Sequence, residues 1–100
     1  MIVRLTPAAR AQLLAAVGYI NAERPAAARD FRMRVDGALR RLIDFPESGR
    51  VIPEFSRLGF REVLVGSCRL FYRAQAGVIW VVGVWHDAQI PEEPVESGAL

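Results

Sequence analysis

Apolar positions along the chain change their spacing twice, and each spacing predicts a different element. Ile2-Val3-Arg4-Leu5 is a short strand-like run. Behind Thr6-Pro7, the residues Ala9, Leu13, Ala16, Val17 and Ile20 recur at helical spacing. They predict a helix over 7–23 with Thr6 as N-cap and Pro7 in the first helical position. Pro25 opens a second helix, predicted over 26–45, in which Ala27, Phe31, Val35, Leu39, Leu42 and Ile43 form one apolar stripe. Arg29, Arg32, Arg40 and Arg41 lie largely off that stripe, and Asp30 with Arg34 and Asp36 with Arg40 are acid-first i,i+4 pairs. Pro46 disfavours helix at Phe45, so the helix stops there. With so short a link, the two helices must form an antiparallel hairpin.

Beyond residue 46 the helical period disappears. Glu47-Ser48-Gly49-Arg50 reads as a turn, and 51–59, with Pro53 and Gly59, as an irregular arm. Strands are predicted at 60–65, 68–74 and 78–86, joined by turns at Gly66-Ser67 and Gln75-Ala76-Gly77. Along the middle one, Arg69, Phe71 and Arg73 share one face while Cys68, Leu70 and Tyr72 share the other. The last strand is apolar on both faces up to His86. Its register stays open. A three-residue loop sets Gly83 and Trp85 on the Arg69 face, whereas a two- or four-residue loop sets Trp80, Val84 and His86 there.

These elements define an α+β domain: an N-terminal strand, an antiparallel two-helix hairpin, then a three-stranded antiparallel meander in one small sheet. It spans 1–90, and 91–100 is expected to be an acidic, disordered tail, since Pro91 and Pro94 prevent pairing. One hairpin covers one face of such a sheet, so a partner protein is expected on the other.

Composition adds two constraints. All 13 basic residues are arginines, which grip phosphates or carboxylates with a planar fork but stay protonated and make poor acid–base catalysts. The net charge of +2 is unevenly spread, with Glu92, Glu93 and Glu96 concentrated in the last ten residues. A basic body points to an acidic partner, protein or nucleic acid. With no long apolar run, no leader pattern and a single cysteine, Cys68, the chain is expected to be a soluble cytoplasmic protein with that thiol packed in a core. No cofactor and no metal are expected.

Five segments together resemble the ParE/RelE superfamily of bacterial toxins. They are Pro25-Ala26-Ala27-Ala28, Pro46-Glu47-Ser48-Gly49, Arg61-Glu62-Val63-Leu64-Val65, Cys68-Arg69-Leu70-Phe71-Tyr72-Arg73 and Trp85-His86-Asp87-Ala88-Gln89. The resemblance implies the toxin of a type II toxin–antitoxin pair, neutralised by a cognate antitoxin that is acidic and partly disordered. It admits two actions. ParE-like members poison DNA gyrase by binding, and RelE-like members cut messenger RNA on the ribosome. Metal-free RNA cleavage needs a base for the 2′-hydroxyl, cations at the phosphate and an acid for the leaving oxygen. Arg61, Arg69 and His86 are the catalytic candidates for that chemistry, provided that His86 approaches Arg69. The chain has no lysine and no tyrosine beyond Tyr72, so the base is missing and the gyrase branch is favoured. A protein that has lost toxicity and only binds its partner is a third reading. On the resemblance, Arg61, Arg69, Arg73, Trp85 and His86 are the expected target-binding residues, and Arg34, Arg41, Trp80 and Val82 the expected antitoxin-binding ones.

Overall fold

A computed structural model describes residues 1–86, except for the side chains of Glu54, Ser56 and His86. The expected acidic tail lies outside the described residues, as does Asp87. The chain runs β1 (Ile2–Leu5), α1 (Pro7–Glu23), α2 (Pro25–Asp44), β2 (Arg50–Val51), a 3-10 segment (Pro53–Leu58), β3 (Arg61–Val65), β4 (Cys68–Gln75) and β5 (Val78–His86). Both helices begin where proline allows. Thr6 Oγ1 accepts the Ala9 N–H (3.1 Å) with Pro7 in the first turn, and Pro25 starts α2 one residue after α1 ends. Ala28, Phe31, Val35 and Leu42 form the buried stripe of α2, and Leu39 packs at its margin. The phase is the expected one, with Ala28 rather than the partly buried Ala27 as its first fully buried residue.

The five strands form one sheet in the order β1-β5-β4-β3-β2. β1 pairs parallel with β5, and all other pairs are antiparallel. β2 was not foreseen, because two residues give no alternation to read, and the expected irregular arm is in part a 3-10 segment. A two-residue turn joins β4 to β5. Ala76 and Gly77 both have positive φ (52° and 79°), the pattern of a type I′ hairpin.

Each open alternative for the register holds over part of β5. Near the turn Arg73 pairs with Trp80, as a two-residue loop requires. An irregularity opposite Phe71/Tyr72 then inserts one residue into β5, and beyond it Arg69 pairs with Trp85 and Cys68 with His86. Both tryptophans therefore join the face of β4 that carries Arg69, Phe71 and Arg73.

The opposite face packs on the helix hairpin through Leu70, Tyr72, Ile79, Val81 and Val84. The expectation that a partner protein covers the Arg69 face is corrected at its centre. Ile52, Phe55 and Phe60, from the stretch before β3, fold over Phe71 and Val82 and form a second small core with Trp80 and Trp85 at its rim. Leu14 and Tyr19 on the outer side of α1 are 65% and 70% exposed, and Leu64 on the Arg69 face is 61% exposed, so apolar surface remains uncovered on both sides of the molecule.

Candidate functional site

Alternation along β3 sends Val63 and Val65 toward the helices and Glu62 and Leu64 to the other side. Glu62 is 2% exposed, the only buried charged residue among those described. Such a carboxylate is tolerable only when paired. Arg69, diagonally across on β4, supplies the fork. Its Nε donates to both carboxylate oxygens (3.0 and 3.1 Å) and its Nη2 to Oε2 (2.5 Å). Arg50, opposite Glu62 on β2, donates to Oε1 at 2.9 Å with its own side chain 66% exposed. Burial pushes the Glu62 carboxyl upward, but the hydrogen bonds and charges of Arg69 and Arg50 outweigh it and hold it below the usual carboxylate value.

Aromatic rings surround this triad. The Arg69 guanidinium carbon sits 5.2 Å from the centre of the Phe71 ring, and that of Arg73 sits 5.6 Å from Phe60. Trp85 stacks on Phe71 with centroids 6.4 Å apart. Its indole lies so close to the strand that a Cβ on Gly83 would stand 2.8 Å from Nε1. Glycine at 83 is what lets the tryptophan fold flat across β5.

Arg61 belongs to a different assembly on the helix side. Its Nη1 donates to the carbonyls of Gly49 (2.9 Å) and Glu47 (3.3 Å). Beside it the Tyr72 hydroxyl donates to the Pro46 carbonyl (2.7 Å) and accepts the Gly49 N–H (2.9 Å). Together they strap the turn after α2 onto the sheet. Gly49 has no room for a side chain, since a Cβ there would lie 2.5 Å from the Tyr72 ring. Burial raises the Tyr72 hydroxyl above its usual value, against the Gly49 hydrogen bond and the Arg61 charge.

The sequence model of the ParE toxin of the type II toxin–antitoxin system parDE matches residues 3–91. The chain belongs to the ParE toxin family. Among solved structures, the chromosomal ParDE toxin–antitoxin system from P. aeruginosa contains a similar fold, with a TM-score of 0.68 at 17% identity. The match covers 86% of this chain and 95% of that one, and at that identity it speaks to the fold alone. A search of curated proteins finds no significant sequence match. Among the described residues, no cluster of His, Cys, Asp and Glu is arranged to hold a metal ion, and no helix is long and apolar enough to cross a membrane.

Against this ParE frame, the five expected target-binding residues do not form one patch. Arg69, Arg73 and Trp85 share the face opposite the helices, whereas Arg61 is on the helix side. His86 pairs through its backbone with Cys68, and the position across from Arg69 belongs to Trp85. Of the expected antitoxin-binding residues, Arg34 and Arg41 are exposed on α2 and Trp80 is half-buried. Val82 is 3% exposed beneath the 52–60 arm, so its side chain is not offered to a partner. Sequence reasoning missed Arg50 and the Gly49–Tyr72 strap. The signal for the first was the short Arg50-Val51-Ile52 run halted by Pro53, and for the second the Gly49 that follows Pro46.

Proposed function

We propose that this ParE-family toxin is neutralised by a cognate antitoxin and acts by binding a DNA-gyrase-type target rather than by cutting messages. The observation that carries the reading is the occupied fork of Arg69. An RNase would need that fork on the scissile phosphate, and here it is locked on a buried carboxylate. Two other groups argue the same way. Arg61 is on the opposite face of the sheet from Arg69, and the Tyr72 hydroxyl is used up in the strap below α2. The half-buried surface of Trp85, Arg73 and Trp80 suits contact with a macromolecule better than proton transfer, because arginines stay charged through any plausible cycle.

Expression in bacteria tests both halves. The expected outcome is DNA-damage signalling and filamentation with ribosome-bound messages intact, relieved by co-expression of the protein encoded in the adjacent reading frame. Cleaved messages without DNA damage would contradict the gyrase half. Toxicity untouched by that neighbour would contradict the antitoxin half.

A further inference from the structure

β3 loses its outer neighbour halfway along its length. β2 pairs Arg50 with Glu62 and Val51 with Arg61, and then ends. The Ile52 N–H bonds the Phe60 carbonyl (3.4 Å), which fixes the parity of the ladder. Backbone groups of Phe60, Glu62 and Leu64 point toward the β2 side, and those of Arg61, Val63 and Val65 toward β4. Past Arg50 the chain turns away, with the Ser48 N–H bonded to the Phe45 carbonyl (3.0 Å). The Leu64 N–H and C=O are therefore left facing an open edge.

That edge lies in a groove. α2 runs beside it and encloses about 560 Å³ with an apolar floor of Leu42 and Val63, kept open by Gly37 and Ala38 on the helix wall. Its rims are basic. Arg41 stands on the helix rim and Arg50 on the sheet rim. Arg34, two turns before Arg41 on the same side of α2, brings Nη1 within 3.8 Å of where a Cβ on Gly66 would sit, at the far end of β3. The acid-first pairing foreseen for Asp30 and Arg34 is not made, and among the described residues neither Arg34 nor Arg41 forms an ion pair. The unpaired stretch of β5 beyond β1 differs, because the Val84 N–H there is already taken by Gln12 Oε1 (2.8 Å).

We propose that this groove receives an extended, acidic segment of the antitoxin, which adds as a strand to β3 at Leu64. The inference rests on the antitoxin reading above and names the surface and the chemistry of the segment. The open N–H and C=O call for an extended backbone rather than a helix. Alternate side chains of an added strand point to opposite faces, so carboxylates on one side meet Arg34 and Arg41 and those on the other meet Arg50. Leu42 and Val63 accept an apolar residue between them.

The test uses the full chain and the protein product of the adjacent reading frame. Binding should slow amide hydrogen exchange at Leu64 by on the order of a hundredfold, as for a newly paired edge. R34E/R41E, at exposed positions that should not disturb folding, should weaken binding by on the order of a hundredfold. R4E/R10E, at a smaller groove of about 290 Å³ on the opposite edge, should change it by less than about threefold. Leu64→Pro removes only the outward donor and should abolish strand addition while the β4 ladder persists. A partner that binds while Leu64 exchanges as before overturns strand addition and leaves the antitoxin reading standing. Charge dependence without Leu64 protection assigns the groove to a helix and also overturns it. Equal effects of the two charge reversals reduce the contact to general attraction and overturn the basic-groove argument. Leu64 protection in the toxin alone gives the edge to a second copy and overturns the antitoxin segment. No binding at all overturns the antitoxin reading and this inference together.

Discussion

Glu62 decides what the arginines around it can do. A carboxylate with a 1% exposed side chain needs near-complete charge and hydrogen-bond compensation, and the Arg69 fork supplies most of it from a side chain only 12% exposed. The third member, Arg50, is largely in water and contributes less. Glu62→Gln is expected to destabilise the protein by about 3 kcal/mol, the low end for a broken buried pair because Arg69 keeps some access to solvent. The pH dependence has a definite sign. A folded-state pKa below the unfolded value of 4.5 gives stability that is fully present above that value and is lost as pH falls through the folded one. The stability gap between wild type and Glu62→Gln, followed by urea unfolding, should therefore be constant near neutrality and narrow steadily below about pH 4.5. A gap of unchanged size at pH 3 would show that the pair does not carry the charge linkage assigned to it.

At the scale of elements, the helices were legible because proline punctuates them. Pro7, Pro25 and Pro46 mark two starts and a stop by removing an N–H or blocking the preceding residue, and the apolar stripe supplies the phase. Phe31 is 6% exposed at the centre of that stripe, and Phe31→Ala is expected to cost about 3–5 kcal/mol in thermal or urea unfolding. A cost under about 1 kcal/mol would mean that α2 does not pack in the phase described. The sheet was harder to read. Gly83 inside β5 is a local hint of a bulge, but it does not tell which residue is left over or how the register changes across it. Ala76 adopts a positive φ that sequence reasoning reserves for glycine, which left loops of two, three and four residues open. Only the cross-strand pairs resolve both points, and with them the placement of Trp80 and Trp85 together. Arg61 shows the cost of reading charge without phase. One residue from Glu62, it faces the other way and holds a turn instead of a ligand.

On the scale of the whole molecule, the fold class followed from element order, whereas the candidate site depended on contacts that order does not encode. The 52–60 arm covers the centre of a face that otherwise needed a partner, because Ile52, Phe55 and Phe60 can reach Phe71 only once β2 has turned the chain back along β3. That closure leaves basic, half-aromatic surface at the rims and an open β3 edge, both suited to binding macromolecules. The central claim is that this ParE-family chain works by binding, with its strongest arginine fork spent on its own structure. The most direct measurement places the purified protein in two reactions side by side, DNA supercoiling by gyrase and translation of a defined message by ribosomes. The account predicts blocked supercoiling with broken DNA held by the enzyme, and an intact message. Undisturbed gyrase with a message cut in a ribosome-dependent way, and cutting lost in Arg69→Ala protein that still folds, would contradict it.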